Sequence, residues 1–395
     1  MPNTTLPYLQ KIFTLAMLAE RGACHSGSAA EIESAFAEVL DKLLSDLQLA
    51  IGRWSVVWGP AVYQAHNTTT TADNVMYVVQ RQDPDPDLPE LVVAIAGTNM
   101  ASDYDLLVEN AWVSTLFPWV VPTAPSDAQI SMGAMLGLVS LMQLRPSPGL
   151  AGPQLTLTEF LTGFLAGPTK REVKVGVCGH SLGGALASTM ALWLYDTQAT
   201  WDSSGKALLS ALAVAGPTAG NKAFADYSNA RLGQQITRLY NPLDVIPHAW
   251  NSAALGQLLE LYSPTVGFDA QLLLMIYVAS QISKDGDYTQ IGTDYVLDHR
   301  IHPEIAEGGV ANNLPWPEGL EPTELNKFLV QMAYQHVAAY CNLLKIPLLF
   351  PFLLCPHSRS DELDSSLARL QGKLARYPAP SSPPGAGGAT TGGTA

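Results

Sequence analysis

Residues 173–195 read VKVGVCGHSLGGALASTMALWLY: an alternating apolar run, a glycine-framed serine, then an apolar pattern of helical period. Val173, Val175 and Val177 share one face of a period-2 strand. Leu186, Met190 and Leu194 recur every four residues, with Ala187 and Ala191 on the same stripe. Gly179-His180-Ser181-Leu182-Gly183 stands at the junction. A serine in so sharp a turn is held in a strained backbone conformation, and glycines on either side let strand and helix approach each other. The turn aims the Ser181 hydroxyl outward at a helix N-terminus, where free N–H groups and the macrodipole favour developing negative charge. The stretch therefore predicts a strand–turn–helix unit of an α/β protein, with Ser181 as candidate nucleophile.

A Gly/Ser turn would also serve any α/β domain, so the nucleophile reading needs a base and an acid elsewhere. A serine hydroxyl is weakly nucleophilic near neutral pH and depends on an imidazole that a carboxylate orients. After this kind of turn the acid precedes the base in the chain. The downstream acids include Asp226, Asp244, Asp269 and Asp298. Asp244 follows a strand candidate in RLYNPLDVIP (238–247), at the sheet end where ligands gather, although an aspartate after Asn-Pro suits a turn equally well. The downstream histidines are His248, His299, His302, His336 and His357. His248 is too near Asp244 in sequence to be an easy partner, and DHRIH (298–302) is only a loose pair of metal-ligand type. His336 falls at or near the start of an apolar helix, where a satisfied core histidine is the competing reading. Two donors must face the oxyanion of a tetrahedral intermediate. The N–H of Leu182 is one, and Thr98, in the strand and loop LVVAIAGT (91–98), offers an N–H and a hydroxyl.

The chain has 395 residues, 47% of them hydrophobic and 14% charged, ample for a large core. Its net charge of −14, from 21 Lys+Arg against 35 Asp+Glu, argues against nucleic acid or an anionic membrane held by a basic patch. Leu6–Leu18 carries Gln10 and Lys11 and reads as an amphipathic helix rather than a secretory signal. The apolar stretches 272–280 and 343–355 are too short or too broken by proline to span a membrane. Cys24, Cys178, Cys341 and Cys355 show neither zinc spacing nor a disulfide framework, and a bridge between Cys341 and Cys355 stays open.

Pro7–Arg53 reads as helical. Val75–Val79 and Leu91–Ala96 read as a pair of strands, with Leu208–Ala215 and Ile236–Tyr240 as further strands, each closed by turn chemistry. Strands alternating with helices predict a mostly parallel or mixed sheet covered on both faces. From Tyr377 the chain is Pro, Gly, Ala, Ser and Thr, which predicts a disordered tail over 377–395.

VVAIAGT (92–98), VCGHSLGGALA (177–187), VAGPTAGNKAFADY (214–227), RLYNPLDVIP (238–247) and YQHVAAYCNLL (334–344) together resemble the class 3 lipases, in that family's order. The resemblance implies an α/β-hydrolase fold in one domain over 1–376. Residues 1–70 have no counterpart in the resemblance and read as a mainly helical extension, and 250–300 reads as a cap insertion before the catalytic histidine. The resemblance implies Ser181, Asp244 and His336 as the triad, Thr98 and Leu182 as oxyanion donors, and Gly179, His180 and Gly183 as the nucleophile elbow. Trp112, Leu116, Phe117, Trp119 and Val120 fall where the family has its lid, and Leu272, Leu273, Met275, Ile276 and Val278 would line acyl-chain space. The expected substrate is an ester or acylglycerol met transiently at a lipid interface, with no metal or organic cofactor. A phospholipase or acyltransferase would use the same triad, whereas a non-catalytic lipid-binding relative would lose one of its members. Two positions depart from the family pattern: Ala96 stands where arginine is usual before Gly-Thr, and Ile130-Ser-Met-Gly133 lacks a histidine.

Overall fold

Apart from Lys174, the strand Val173–His180 is buried on both sides. In the computed structural model, which describes residues 5–66, 69–102, 104–167, 172–298, 320–353 and 355, this strand is the middle one of seven. Edge to edge, the sheet runs β1 (Trp54–Tyr63), β2 (Asn74–Arg81), β3 (Leu91–Ile95), β6 (Val173–His180), β7 (Ala207–Val214), β8 (Ile236–Tyr240) and β9 (Thr293–Val296). β1, β2 and β3 are antiparallel, and every pairing from β3 to β9 is parallel. A separate two-stranded ribbon joins β4 (Leu116–Pro118) to β5 (Gln129–Ser131). The sheet is thus mixed, with the long parallel part that βα crossovers require.

Period-2 alternation divides the side chains between two cores. Val75, Tyr77, Val92, Ala94, Cys178, Leu212 and Val214 face one of them. That face is covered by α1 (Leu6–Ala19), α2 (Ala29–Asp46) and a late helix that begins at Glu324. Met76, Val78, Leu91, Val93, Val173, Val175 and Val177 face the other core. There they meet α3 (Met132–Gln143), α4 (Leu157–Leu165) and α5 (Leu182–Asp196). Leu186, Met190 and Leu194 belong to this second core, so the strand face and the helix stripe read from the sequence pack against each other.

The expected helical extension over 1–70 holds only to Ile51, because Trp54–Tyr63 is a strand. Gly59-Pro60 interrupts its apolar run, and the register shifts there. A proline is tolerated because β1 is the sheet edge and no second neighbour needs its missing N–H. The expected cap over 250–300 is also mixed. α7 (Ala270–Ser283), which follows α6 (Lys222–Leu232), packs Leu272 and Ile276 into a satellite core with Leu325, Phe328 and Tyr262. Those two side chains are therefore core and do not line open acyl space. Thr293–Val296 leaves the insertion to join the sheet beside β8. No described helix is long and apolar enough to cross a membrane. His299, His302, His357 and the tail over 377–395 lie outside the described residues.

Cys355 pairs with Cys24, while Cys341 and Cys178 are buried free thiols. The possible 341–355 bridge is thus replaced by one spanning 331 positions. Because such a link chiefly restricts the unfolded chain, Cys24→Ser is expected to cost about 2–5 kcal/mol. A fall in thermal midpoint, matched by that of the reduced wild-type protein, would register the loss.

Candidate active site

Ser181 follows β6 with φ 57° and ψ −129°, a backbone state rare for residues with a Cβ. The turn is so tight that a Cβ on Gly179 would lie 2.1 Å from the Gly183 carbonyl oxygen, and one on Gly183 would lie 2.5 Å from that of Ile95. Ser181 N–H donates to the Val214 carbonyl at 3.0 Å, and Gly184 N–H returns to the Ser181 carbonyl at 2.8 Å. Leu182 opens α5, so its N–H has no intrahelical acceptor and stays available at the mouth of the turn.

His336 reaches Ser181 from the late helix. That helix runs through α8 (Glu324–Ala333), a π-helical turn (Tyr334–Ala338) and α9 (Ala339–Leu343). The histidine thus sits in mid-helix, not near a helix start. The true start is capped at Thr323, whose side chain accepts the Asn326 N–H. The π turn, closed by Ala339 N–H on the Tyr334 carbonyl, is the kind of local widening that recurs at functional sites. His336 Nε2 lies 2.9 Å from Ser181 Oγ, and Nδ1 lies 2.8 Å from Asp244 Oδ2. Because a carboxylate only accepts, Nδ1 carries the hydrogen and Nε2 presents its lone pair to the serine.

Asp244 is fully buried in the loop after β8. Besides the imidazole, its carboxylate accepts the Ile246 N–H at 3.0 Å and the Tyr340 hydroxyl at 2.8 Å. The Tyr340 oxygen in turn accepts the Asn241 N–H at 3.1 Å. Burial first, and the Asp244 charge second, push the Tyr340 phenol well above its usual range, which keeps it a neutral donor. A second tie runs from Asn241 Nδ2 to Gln335 Oε1 at 2.6 Å, so the acid loop and the histidine helix are locked together.

Thr98 stands in the loop after β3, across from the elbow. Its hydroxyl oxygen accepts Asn110 Nδ2 at 2.9 Å, which leaves its own O–H free to donate. Asn99 N–H donates to Asp105 Oδ2 at 2.7 Å. Asp105 and Glu109 ride on a second π turn, Asp105–Glu109, which Gly133 permits: a Cβ there would lie 2.2 Å from the Glu109 carbonyl oxygen. That contact explains the glycine in Ile130-Ser-Met-Gly133.

The expected lid residues divide. Trp119 is buried against Phe224, with ring centroids 5.1 Å apart, and its indole donates to Asp196 at 2.8 Å, so it is anchored to the body and is no part of a lid. Leu116 is half-buried in β4, whereas Trp112, Phe117 and Val120 are exposed. Tyr340, Asn241, Gln335, Asn110 and Asp105 were not singled out from the sequence. Only Tyr340, one helical turn after His336, carried a spacing signal. Among the described residues, no group of three or more His, Cys, Asp or Glu could hold a metal ion.

The family model for lipase (class 3) matches residues 92–253. The crystal structure of M37 lipase is 31% identical, covers 92% of this chain and 98% of that one, and gives a TM-score of 0.73. The chain belongs to the class 3 lipases and has their α/β-hydrolase fold. It is accordingly a carboxylic ester hydrolase of the triacylglycerol lipase type. A triacylglycerol lipase from Penicillium expansum is 18% identical over 74% of this chain and 79% of its own, with a TM-score of 0.42. For a lipase from Rhizopus microsporus var. chinensis the figures are 16%, 64%, 72% and 0.42. No curated protein matches the chain.

Behind Thr98 lie three buried acids: Asp73, Asp105 and Glu109. Burial, reinforced by the Asp73 charge and opposed by a 2.9 Å bond from Asn74, pushes the Glu109 carboxyl up to about 8. Burial and then the Glu109 charge also raise Asp105. A raised acid keeps its proton in the folded state after the unfolded chain has released its own. The resulting stability is complete below the ordinary value of 4.5 and is lost as pH rises through 4.5 to about 8. Glu109→Gln, which mimics the protonated form, is expected to match wild type near pH 4.5 and to exceed it above pH 8 by about 2–4 kcal/mol. Paired thermal melts across that range measure the gap.

Proposed function

We propose that the protein hydrolyses carboxylic esters, acylglycerols among them, through an acyl-enzyme on Ser181. The observation that carries this reading is an unbroken hydrogen-bond relay, 2.8 Å from Asp244 to His336 and 2.9 Å from His336 to Ser181. Ser181 Oγ attacks the ester carbonyl as its proton passes to His336 Nε2. Asp244 holds the imidazole tautomer and stabilises the imidazolium that forms. The negative oxygen of the tetrahedral intermediate takes hydrogen bonds from Leu182 N–H and from Thr98. Collapse expels the alcohol, which receives the proton from Nε2. Water then attacks the acyl-enzyme with His336 again as base, releasing the acid and restoring the serine.

Tyr340 and the Ile246 N–H matter because Asp244 is cut off from solvent, and a buried carboxylate without donors would be costly. Their bonds fix the plane of the carboxylate and therefore the direction of the imidazole. On the surface, Trp112 and Phe117 are 43% and 44% exposed, and Trp112 lies two residues beyond Asn110, the partner of Thr98. These apolar groups suit contact with a lipid surface beside the site.

Ser181→Ala is expected to lower turnover of a short-chain p-nitrophenyl ester by roughly 10⁵–10⁶-fold in folded protein and to abolish labelling by a fluorophosphonate. Undiminished turnover would reject the nucleophile assignment. Asp244→Asn, which leaves the shape intact but favours the wrong imidazole tautomer, is expected to cost about 10⁴ in kcat.

A further inference from the structure

We propose that Glu20 is a positioning residue for ester hydrolysis, a role that rests on the reading of Ser181 and Thr98 given above. Glu20 opens the 3₁₀ turn Glu20–Cys24 just after α1, far from the catalytic residues in sequence. Its Oε1 accepts the Gly97 N–H at 2.9 Å and lies 3.7 Å from His180 Nδ1. Gly97 immediately precedes the oxyanion residue Thr98, and His180 immediately precedes the nucleophile Ser181. One carboxylate oxygen therefore meets the residues that precede Thr98 and Ser181, the first by a hydrogen bond and the second by a 3.7 Å approach to its ring. The far ring nitrogen of His180 donates to the His336 carbonyl at 2.8 Å, which ties the elbow to the π turn that bears the base.

The fit leaves little slack. A Cβ on Gly97 would lie 2.6 Å from the His180 carbonyl oxygen, 2.8 Å from Glu20 Oε1 and 3.1 Å from Ser181 Cβ. Phe13, on the preceding helix, stacks on Tyr340 at 6.2 Å and meets the His180 ring edge-on at 6.5 Å, so the segment that presents Glu20 is itself packed beneath the site. A bond from a backbone N–H to a charged carboxylate is roughly twice as strong as a neutral one. Here it holds the Ala96–Gly97 peptide, one unit before the Gly97–Thr98 peptide that carries the Thr98 N–H. Donors placed in advance stabilise the transition state and leave the ground state nearly untouched, so their displacement lowers kcat more than it raises KM.

The test compares wild type, Glu20→Ala, Glu20→Asp, Glu20→Gln and Ser181→Ala in the full chain, with rates per mole of folded protein on a soluble p-nitrophenyl ester. Glu20→Ala is expected to lose about 10–100-fold in kcat with KM within about threefold, and to weaken a boronic acid inhibitor by a similar factor. Glu20→Gln, whose amide oxygen can still accept from Gly97, is expected to recover most of the rate. Glu20→Asp, with its acceptor drawn back by one methylene, is expected to fall between them, and it decides the matter if the alanine variant does not fold. A wild-type kcat in Glu20→Ala or Glu20→Asp, even with a lowered melting temperature, would overturn the proposal. Turnover surviving in Ser181→Ala would instead overturn the nucleophile assignment on which it rests.

Discussion

At the end of β6 one backbone runs directly against others, and the geometry around Ser181 follows from that contact. Ser181 holds φ 57°, a state that costs a non-glycine residue of order 1–3 kcal/mol. The serine has no preference for it; its surroundings enforce it. Bonds to β7 and into α5 fix the residue on both sides, and the carbonyls of Ile95 and Ala96 occupy the space that any side chain at 183 would need. Since Ile95 ends β3 and Ala96 leads into Gly97-Thr98, the same contact sets the distance between Ser181 and the loop that bears Thr98. Strain at one residue is thus the means by which two loops share one frame.

The machinery around that frame is built from widely separated parts of the chain. Asp244 comes from a loop after β8, and His336 from a helix whose carbonyl at 336 is held by His180, beside Ser181. Two π turns flank the site, one carrying His336 and the other carrying Asp105 beneath the Asn99 N–H. In each case the widened turn brings a side chain and a backbone group to bear on the site from a single element. The polar groups behind them are buried, so their hydrogen bonds act in a low-dielectric setting where each is strong and each loss is costly.

Much of this was legible where burial demands a period. Val173, Val175 and Val177 could hide only by alternating across a sheet, and Leu186, Met190 and Leu194 only by lining one face of a helix. Ser181 was legible through its own motif, and Asp244 and His336 through the family resemblance. The edge strand Trp54–Tyr63 escaped because Gly59-Pro60 breaks its run, and Thr293–Val296 escaped because its residues are exposed or half-exposed at the opposite edge. The helical setting of His336 was obscured because the cap at Thr323 lies well upstream. Partners such as Glu20, and the pairing of Cys24 with Cys355, depend on segments far apart in the chain meeting in space. No local pattern encodes such meetings.

Phe13 stacking on Tyr340 has a consequence for biosynthesis. The helices over 6–46 leave the ribosome early, yet the layer they belong to also contains Val330, Tyr334 and Tyr340. Until those late residues emerge, α1 and α2 leave part of the apolar sheet face uncovered. That part must wait, open to chaperones or to aggregation, for the helix that begins at Glu324.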